Sequence, residues 1–222
     1  MPGAGLVQGA DGALYGTTNF GGSGPCPGGG GSPPGCGVVY RLKKTKAGWT
    51  EAVIHSFNGT DGYVPNGQLA VGPGGALYGT TQYGGPDNNG GTVYALTPPA
   101  KKNGTWGFAS IHAFGGQLPS GATDGAQPQS GVAVASDGSL YGVTSAGGNY
   151  TPFFGGYGTI YQLTGSGGSW QENQLYNFMQ NGDGGEPISR PAFDAAGALW
   201  GTSGAGYDAP PNFGGTVWRY GP

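Results

Sequence analysis

The chain has 222 residues, with 53 Gly, 18 Pro, 12% aromatic and only 9% charged residues, a net charge of −3 and a pI near 5.1. That acidic balance argues against a nucleic-acid partner, because phosphate binding needs a basic surface, and no apolar run approaches the roughly 18 residues of a membrane-spanning helix. Glycine and proline at this level usually mark low complexity, but the aromatic content supplies burial that a disordered chain lacks, so the glycines are expected in tight turns of a folded chain.

Taken in chain order, the elements repeat. The first is a short apolar run, "GLVQG" at 5–9, which turns at Asp11-Gly12 into "LYGTT" at 14–18. A long loop, "NFGGSGPCPGGGGSPPGCG", leads to "GVVYRL" at 37–42 and then to "WTEAVIHSF" at 49–57. After "DGYVP" at 61–65 the series restarts with "QLAVG", "LYGTT", the loop "QYGGPDNNGG", "GTVYAL" and "WGFASIHAF". After "DGAQP" at 124–128 it runs through "GVAVA", "LYGVT", "SAGGNYTPFFGGYG", "GTIYQL" and "WQENQLYNF". A last series follows "GGEP" at 184–187: "PAFDA", "LWGTS", "GAGYDAPPNFGG" and "GTVWRY". The motif leucines fall at 14, 77, 140 and 199, a period of about 60 residues.

These pieces are short, β-branched or aromatic, and bounded by Gly, Pro, Asn and Asp, which is the signature of strands. Helix is an alternative only for "WQENQLYNFMQN", and its sister copies alternate in strand fashion. Asp11-Gly12 and Asp137-Gly138 are expected to form two-residue hairpin turns. Four antiparallel strands per repeat predict an all-β chain, a β-propeller of about four blades. The expected organisation is one domain over 1–222, with repeats at approximately 1–64, 65–127, 128–186 and 187–222. The last lacks its Trp-to-Phe strand, so "GTVWRY" is an edge that invites pairing. Another strand is expected to cover it, by self-association or from residues outside this sequence.

The pattern "LYGTT..GG....GTVY.L" followed by "IHSF...DG..P" resembles the tandem repeats of the bacterial "GloVer" proteins, which are found with assorted surface-anchoring signals. The resemblance covers nearly the whole chain. It implies export and surface display, and supplies no established activity or catalytic residues. Neither a signal peptide nor a lipidation motif is present, so any export signal is expected to be removed or to lie outside these residues. Cys26 and Cys36, close together in the first long loop, are expected to form a disulfide in an oxidising compartment, the alternative being two free thiols.

Alternating strand direction places the second-to-third-strand loops on one face with the segments joining repeats. That face collects Asp61, Asp87, Asp124, Asp183, Glu186 and Asp208, while Lys43, Lys44, Lys46, Lys101 and Lys102 fall on the other. Variable loops on a rigid scaffold are where function usually lives. The candidate ligand-binding residues there are Tyr83, Asp87, Tyr150, Phe153, Phe154, Tyr157, Tyr207, Asp208 and Phe213. Aromatic rings beside Asp and Asn suit sugars, so the expected partner is a glycan or other small polar ligand. The competing reading is that these rings pack their own loops.

Standard catalytic signatures are missing: "GTSGA" at 201 falls short of G-x-S-x-G, and no Walker or zinc motif occurs. The repeated Asp61 and Asp124 read as turn devices, and their spacing does not match a Ca²⁺ loop. His55 and His112 share one slot with Tyr176, which argues against catalysis by either histidine. No metal or cofactor is expected. A hydrolase or lyase is the rival to binding. It would need two convergent carboxylates, for which Asp183 or Glu186 with Asp208 are the candidates. A structural or adhesive repeat segment is the third reading.

Overall fold

The computed structural model describes residues 3–23, 26, 35–86, 89–101, 104–115, 124–148, 156–166, 168–179, 183–205 and 214–221. Strands β1 (Val7–Gln8), β2 (Leu14–Thr18), β3 (Val38–Thr45) and β4 (Gly48–Ser56) form the first antiparallel sheet, in that order. The second repeats it with β5 (Ala70–Val71), β6 (Leu77–Thr81), β7 (Thr92–Thr97) and β8 (Gly107–Ala113). In the third unit β9 (Gly125–Ala126) precedes β10 (Ala133–Val134) and β11 (Leu140–Thr144); β12 (Ala146–Gly147) pairs back on β9; β13 (Thr159–Ser166) and β14 (Ser169–Asn177) complete the sheet β10-β11-β13-β14. The fourth holds β15 (Gly185–Pro187), β16 (Ala192–Phe193), β17 (Leu199–Ala205) and β18 (Thr216–Tyr220), with β15 and β16 on one edge of β17 and β18 on the other. The segment at 169–177, where helix was the alternative, is strand.

The repeated "LYG" has a packing reason. Its glycine faces the aromatic of the next strand in every sheet: Gly16 opposite Tyr40, Gly79 opposite Tyr94, Gly142 opposite Tyr161 and Gly201 opposite Trp218. A Cβ at any of the four would lie only 2.1–2.8 Å from an atom of that ring. The third and fourth strands of the first three sheets shift register just before this aromatic, at Val39/Tyr40, Val93/Tyr94 and Ile160/Tyr161. Such a bulge re-aims a side chain, here laying the ring over the glycine.

The expected two-residue hairpins are three-residue ones. Gly9 donates to the Ala13 carbonyl and Gly12 to that of Gly9 (2.9 and 3.0 Å), so residues 10–12 make the turn. The same pattern closes 73–75, 136–138 and 195–197. A turn of this length closes on a left-handed residue that favours glycine, and Gly12, Gly75, Gly138 and Gly197 all have positive φ, with Gly74 left-handed as well in the second turn. The preceding aspartates Asp11 and Asp137 accept the N–H two residues on (3.1 and 2.9 Å).

Three apolar clusters lie between consecutive sheets. Tyr15, Phe57, Leu69 and Tyr94 centre the first, Phe114, Val132, Leu140 and Tyr161 the second, and Ile160, Phe178, Leu199 and Trp218 the third. The core is therefore made by sheets packed face to face, with neighbouring copies of the repeat supplying its two walls. The short first strands lie side by side, β1 beside β5 and β5 beside β10. Arg190 ties the starts of these strands together, donating from Nε to the Val132 carbonyl (2.9 Å) and from Nη1 to Gln68 Oε1 (3.3 Å), while Gln68 donates to the Leu6 carbonyl (3.3 Å).

Candidate functional site

Each junction between units is built by the "DG..P" segment. Its aspartate reaches back to the fourth strand just ended, its glycine packs forward. At the first junction Asp61 contacts His55 Nε2 (3.0 Å) and accepts the Asn58 N–H (2.9 Å). At the third, Asp183 accepts the Tyr176 hydroxyl (2.7 Å) and the Met179 N–H (3.0 Å). At the second, Asp124 accepts the Gly115 N–H (3.2 Å) and its own neighbour's at Gly125 (2.7 Å), with His112 Nε2 at 3.5 Å. Gly62, Gly125 and Gly184 then lie against the hydroxyl side chains of the following sheet, where a Cβ would collide with Thr81, Thr144 and Thr216. One motif thus clasps two units, as the turn reading of Asp61 and Asp124 expects in kind, though the contacts cross from strand end to junction as well.

The junction segments also pair with the second-to-third-strand loops, which puts both on one face. Tyr63 bridges Tyr83, β9 pairs β12, and β15 pairs the end of β17. The residue before each proline is left-handed without being glycine: Val64, Gln127 and Glu186 have φ of 56, 56 and 50°. Their N–H groups donate to Cys36, Gly90 and Tyr157 carbonyls (3.1, 2.7 and 2.8 Å), so the conformation recurs with the same hydrogen bond and serves the junction.

Of the candidate ligand residues, Tyr83 and Tyr157 lie within the described residues; Asp87, Tyr150, Phe153, Phe154, Tyr207, Asp208 and Phe213 lie outside them. Tyr83 is half-buried and stacks on Tyr63 with centroids 5.4 Å apart, and Asn89 donates to the Tyr63 hydroxyl (3.1 Å). Tyr157 packs against the third apolar cluster and over Gly185. The structure therefore brings Tyr83 together with a second ring and an amide, whereas Tyr157 belongs to the packing of its own junction. Among the acid candidates, Asp183 is held in its clasp and Glu186 is exposed. Cys26 and Cys36 are disulfide-bonded, with Cys36 buried in the first cluster.

Glu172 is the residue the sequence reading passed over. It stands two positions after Trp170 in β14, as Phe108 stands after Trp106 in β8. At the first junction the Phe108 ring lies flat on His55, centroids 3.9 Å apart and planes within 4°. At the second, the same slot brings the Glu172 carboxylate to 3.9 Å from His112 Nε2. Burial and then the Asp124 charge push the Glu172 carboxyl up to about 7. Burial acts to raise Asp124 as well, but the bond and charge of His112 and the N–H groups of Gly115 and Gly125 outweigh it and hold that carboxyl below its ordinary range. Two carboxyl groups of unlike acidity beside an imidazole can exchange a proton or hold a cation. Aligning the Trp-to-Phe strands puts Glu51, Phe108 and Glu172 in one slot; Glu51 is exposed, whereas Glu172 meets the histidine of the preceding unit.

Residues 1–150 match the Gloeobacter/Verrucomicrobia repeat family. The chain belongs to that family. For this Gloeobacter/Verrucomicrobia repeat protein no curated protein gives a match. A crystal structure of a protein of unknown function from Dyadobacter fermentans is similar, with a TM-score of 0.50 at 12% identity over 89% of this chain and 55% of that one. At that identity the likeness speaks to fold alone, and the repeat protein spans about half the length of its structural neighbour. None of the described residues forms a helix long and apolar enough to cross a membrane.

Proposed function

We propose that this repeat protein is an exported, cell-surface ligand-binding β-propeller whose ligand, of the glycan class, is held on the face made by the second-to-third-strand loops and the junction segments. The observation that carries the reading is the pairing of each junction with described residues of the loop beside it, which supports placing the variable loops and the junctions on one face. The scaffold under that surface repeats to the level of single glycines and ring contacts, so differences between units concentrate in the loops, where recognition is built. The stacked Tyr63–Tyr83 pair with Asn89 alongside offers an apolar ring face next to amide and hydroxyl groups, the combination that sugars use.

The side-by-side first strands and the Arg190 tie between the first-strand starts of separate units support convergence of the sheets on one axis. The disulfide fits an oxidising compartment, hence export. The test is a glycan array read with the purified protein, followed by titration of any hit against wild type and Tyr83→Ala. The reading expects a specific hit that weakens at least severalfold in the variant. A clean array, or an affinity indifferent to Tyr83, would count against it.

A further inference from the structure

The three junctions share one design, and the second departs from it in a way that creates a site. At the first, His55 and Asp61 are in hydrogen-bond contact and Phe108 seals the imidazole. At the third, a tyrosine replaces the histidine and bonds Asp183 directly. At the second, the imidazole stands farther from its aspartate, at 3.5 rather than 3.0 Å, and the seal is a carboxylate. We propose that His112, Asp124 and Glu172 bind a divalent transition metal of the zinc class, a staple between the second and third units that the described residues of the other junctions do not offer.

One nitrogen and two carboxylate oxygens lie within 4.8 Å of one another. The imidazole nitrogen is 3.5 Å from the Asp124 oxygen and 3.9 Å from that of Glu172. Metal bonds of about 2.0–2.1 Å at a tetrahedral angle place two donors about 3.4 Å apart, so the imidazole distances need at most about half an ångström of closure and the carboxylate pair up to roughly 1.4 Å, within reach of a side-chain rotation. The side chains are only 18, 24 and 17% exposed. Glu172 Oε1 is a buried atom without a hydrogen-bond partner, and the buried His112 Nε2 meets its two carboxylates only at the long distances of 3.5 and 3.9 Å. Burying such groups together is costly unless something compensates them, and a doubly charged ion does so for both carboxylates at once. One imidazole with two carboxylates suits zinc or manganese better than calcium, which prefers six or more oxygens.

The neighbouring junctions supply variants already known to suit the scaffold. Glu172→Phe installs what Phe108 does at the first junction, and His112→Tyr installs what Tyr176 does at the third. The experiment is calorimetric titration of EDTA-treated protein with zinc chloride, with thermal melting of every variant to verify folding. Wild type should bind one zinc per chain, and zinc at a hundredfold excess over its dissociation constant should raise the melting temperature by about 5–10 °C. Glu172→Phe and His112→Tyr should melt cooperatively and lose the stoichiometric binding. Phe108→Glu, which copies the second junction into the first, should bind two. Absence of stoichiometric binding in wild type, or its survival in a folded Glu172→Phe protein, would overturn the proposal.

Discussion

Gly79→Ala is the sharpest test of why the repeat is written as it is. By backbone preference alone, alanine in a strand should gain roughly 0.5–1 kcal/mol over glycine. Here its methyl would enter the space of the fully buried Tyr94 ring, which also rests against Phe57 and Phe108 and so has no free direction to move. Overpacking of this kind costs about 1–3 kcal/mol, and against a ring with no room to yield the upper part of that range applies, so the net change should be destabilising by up to about 2.5 kcal/mol. Gly107→Ala is the control: it lies in β8, and its Cβ would meet only Thr97 at an ordinary 3.6 Å. The double variant Gly79→Ala/Tyr94→Leu should be less destabilised than the two single changes summed, by about 1 kcal/mol or more. Urea unfolding of wild type, Gly79→Ala, Gly107→Ala, Tyr94→Leu and the double variant measures all of this. If Gly79→Ala were as stable as Gly107→Ala, or the two changes simply added, the ring-over-glycine account would be wrong.

Reducing the Cys26–Cys36 bridge, which closes a loop of sequence separation 10, should lower stability by about 2–3 kcal/mol on the chain-entropy model; paired melts with and without reductant check this, and an unchanged transition would contradict it. Tyr176→Phe removes a hydrogen bond to a carboxylate and should cost about 1.5–3 kcal/mol near neutral pH. Burial, first, and then Asp183 push the Tyr176 phenol up from its ordinary 10 to about 12. Because the folded state holds that proton more tightly, the contribution is complete below pH 10 and is lost as pH rises to 12. The gap between wild type and Tyr176→Phe should therefore close over that window, and a gap constant to pH 12 would refute the assignment. Strand β18 pairs only with β17 among the described residues, and its Val217 is 71% exposed. Light scattering should show concentration-dependent association through that edge, and a monomer at all concentrations would deny it.

Much of the fold was legible because it rests on local chemistry. Valine, tyrosine and threonine in short runs between glycines can do little but form strands, and the 60-residue period shows that each sheet needs its neighbour. The turn length was misjudged because Asp-Gly fits both two- and three-residue hairpins, and only the Gly9–Ala13 pairing decides between them. The junction chemistry was half visible. Asp61 and Asp124 read as turn residues, but the partners that define them, His55 and His112, lie in another element. Glu172 and Arg190 were not legible at all as isolated letters. Each acquires meaning from a residue in a different unit, His112 for one and Gln68 for the other. Tyr157 was grouped with the loop aromatics by position, and its place in the third cluster depends on how that loop meets β15.

The central claim is that the loop face binds and the scaffold carries it. The most direct measurement is titration of an array-identified glycan against wild type, Tyr83→Ala, Phe153→Ala and Lys101→Ala, with thermal melting of the same four samples. The account predicts that the two aromatic changes weaken binding while Lys101→Ala, on the opposite face, leaves it unchanged. Each lost stacking contact should cost on the order of 1 kcal/mol, about fivefold in affinity, with melting temperatures close to wild type. Loss of melting temperature with affinity intact would show that the rings pack the loops and bind nothing, contradicting the claim.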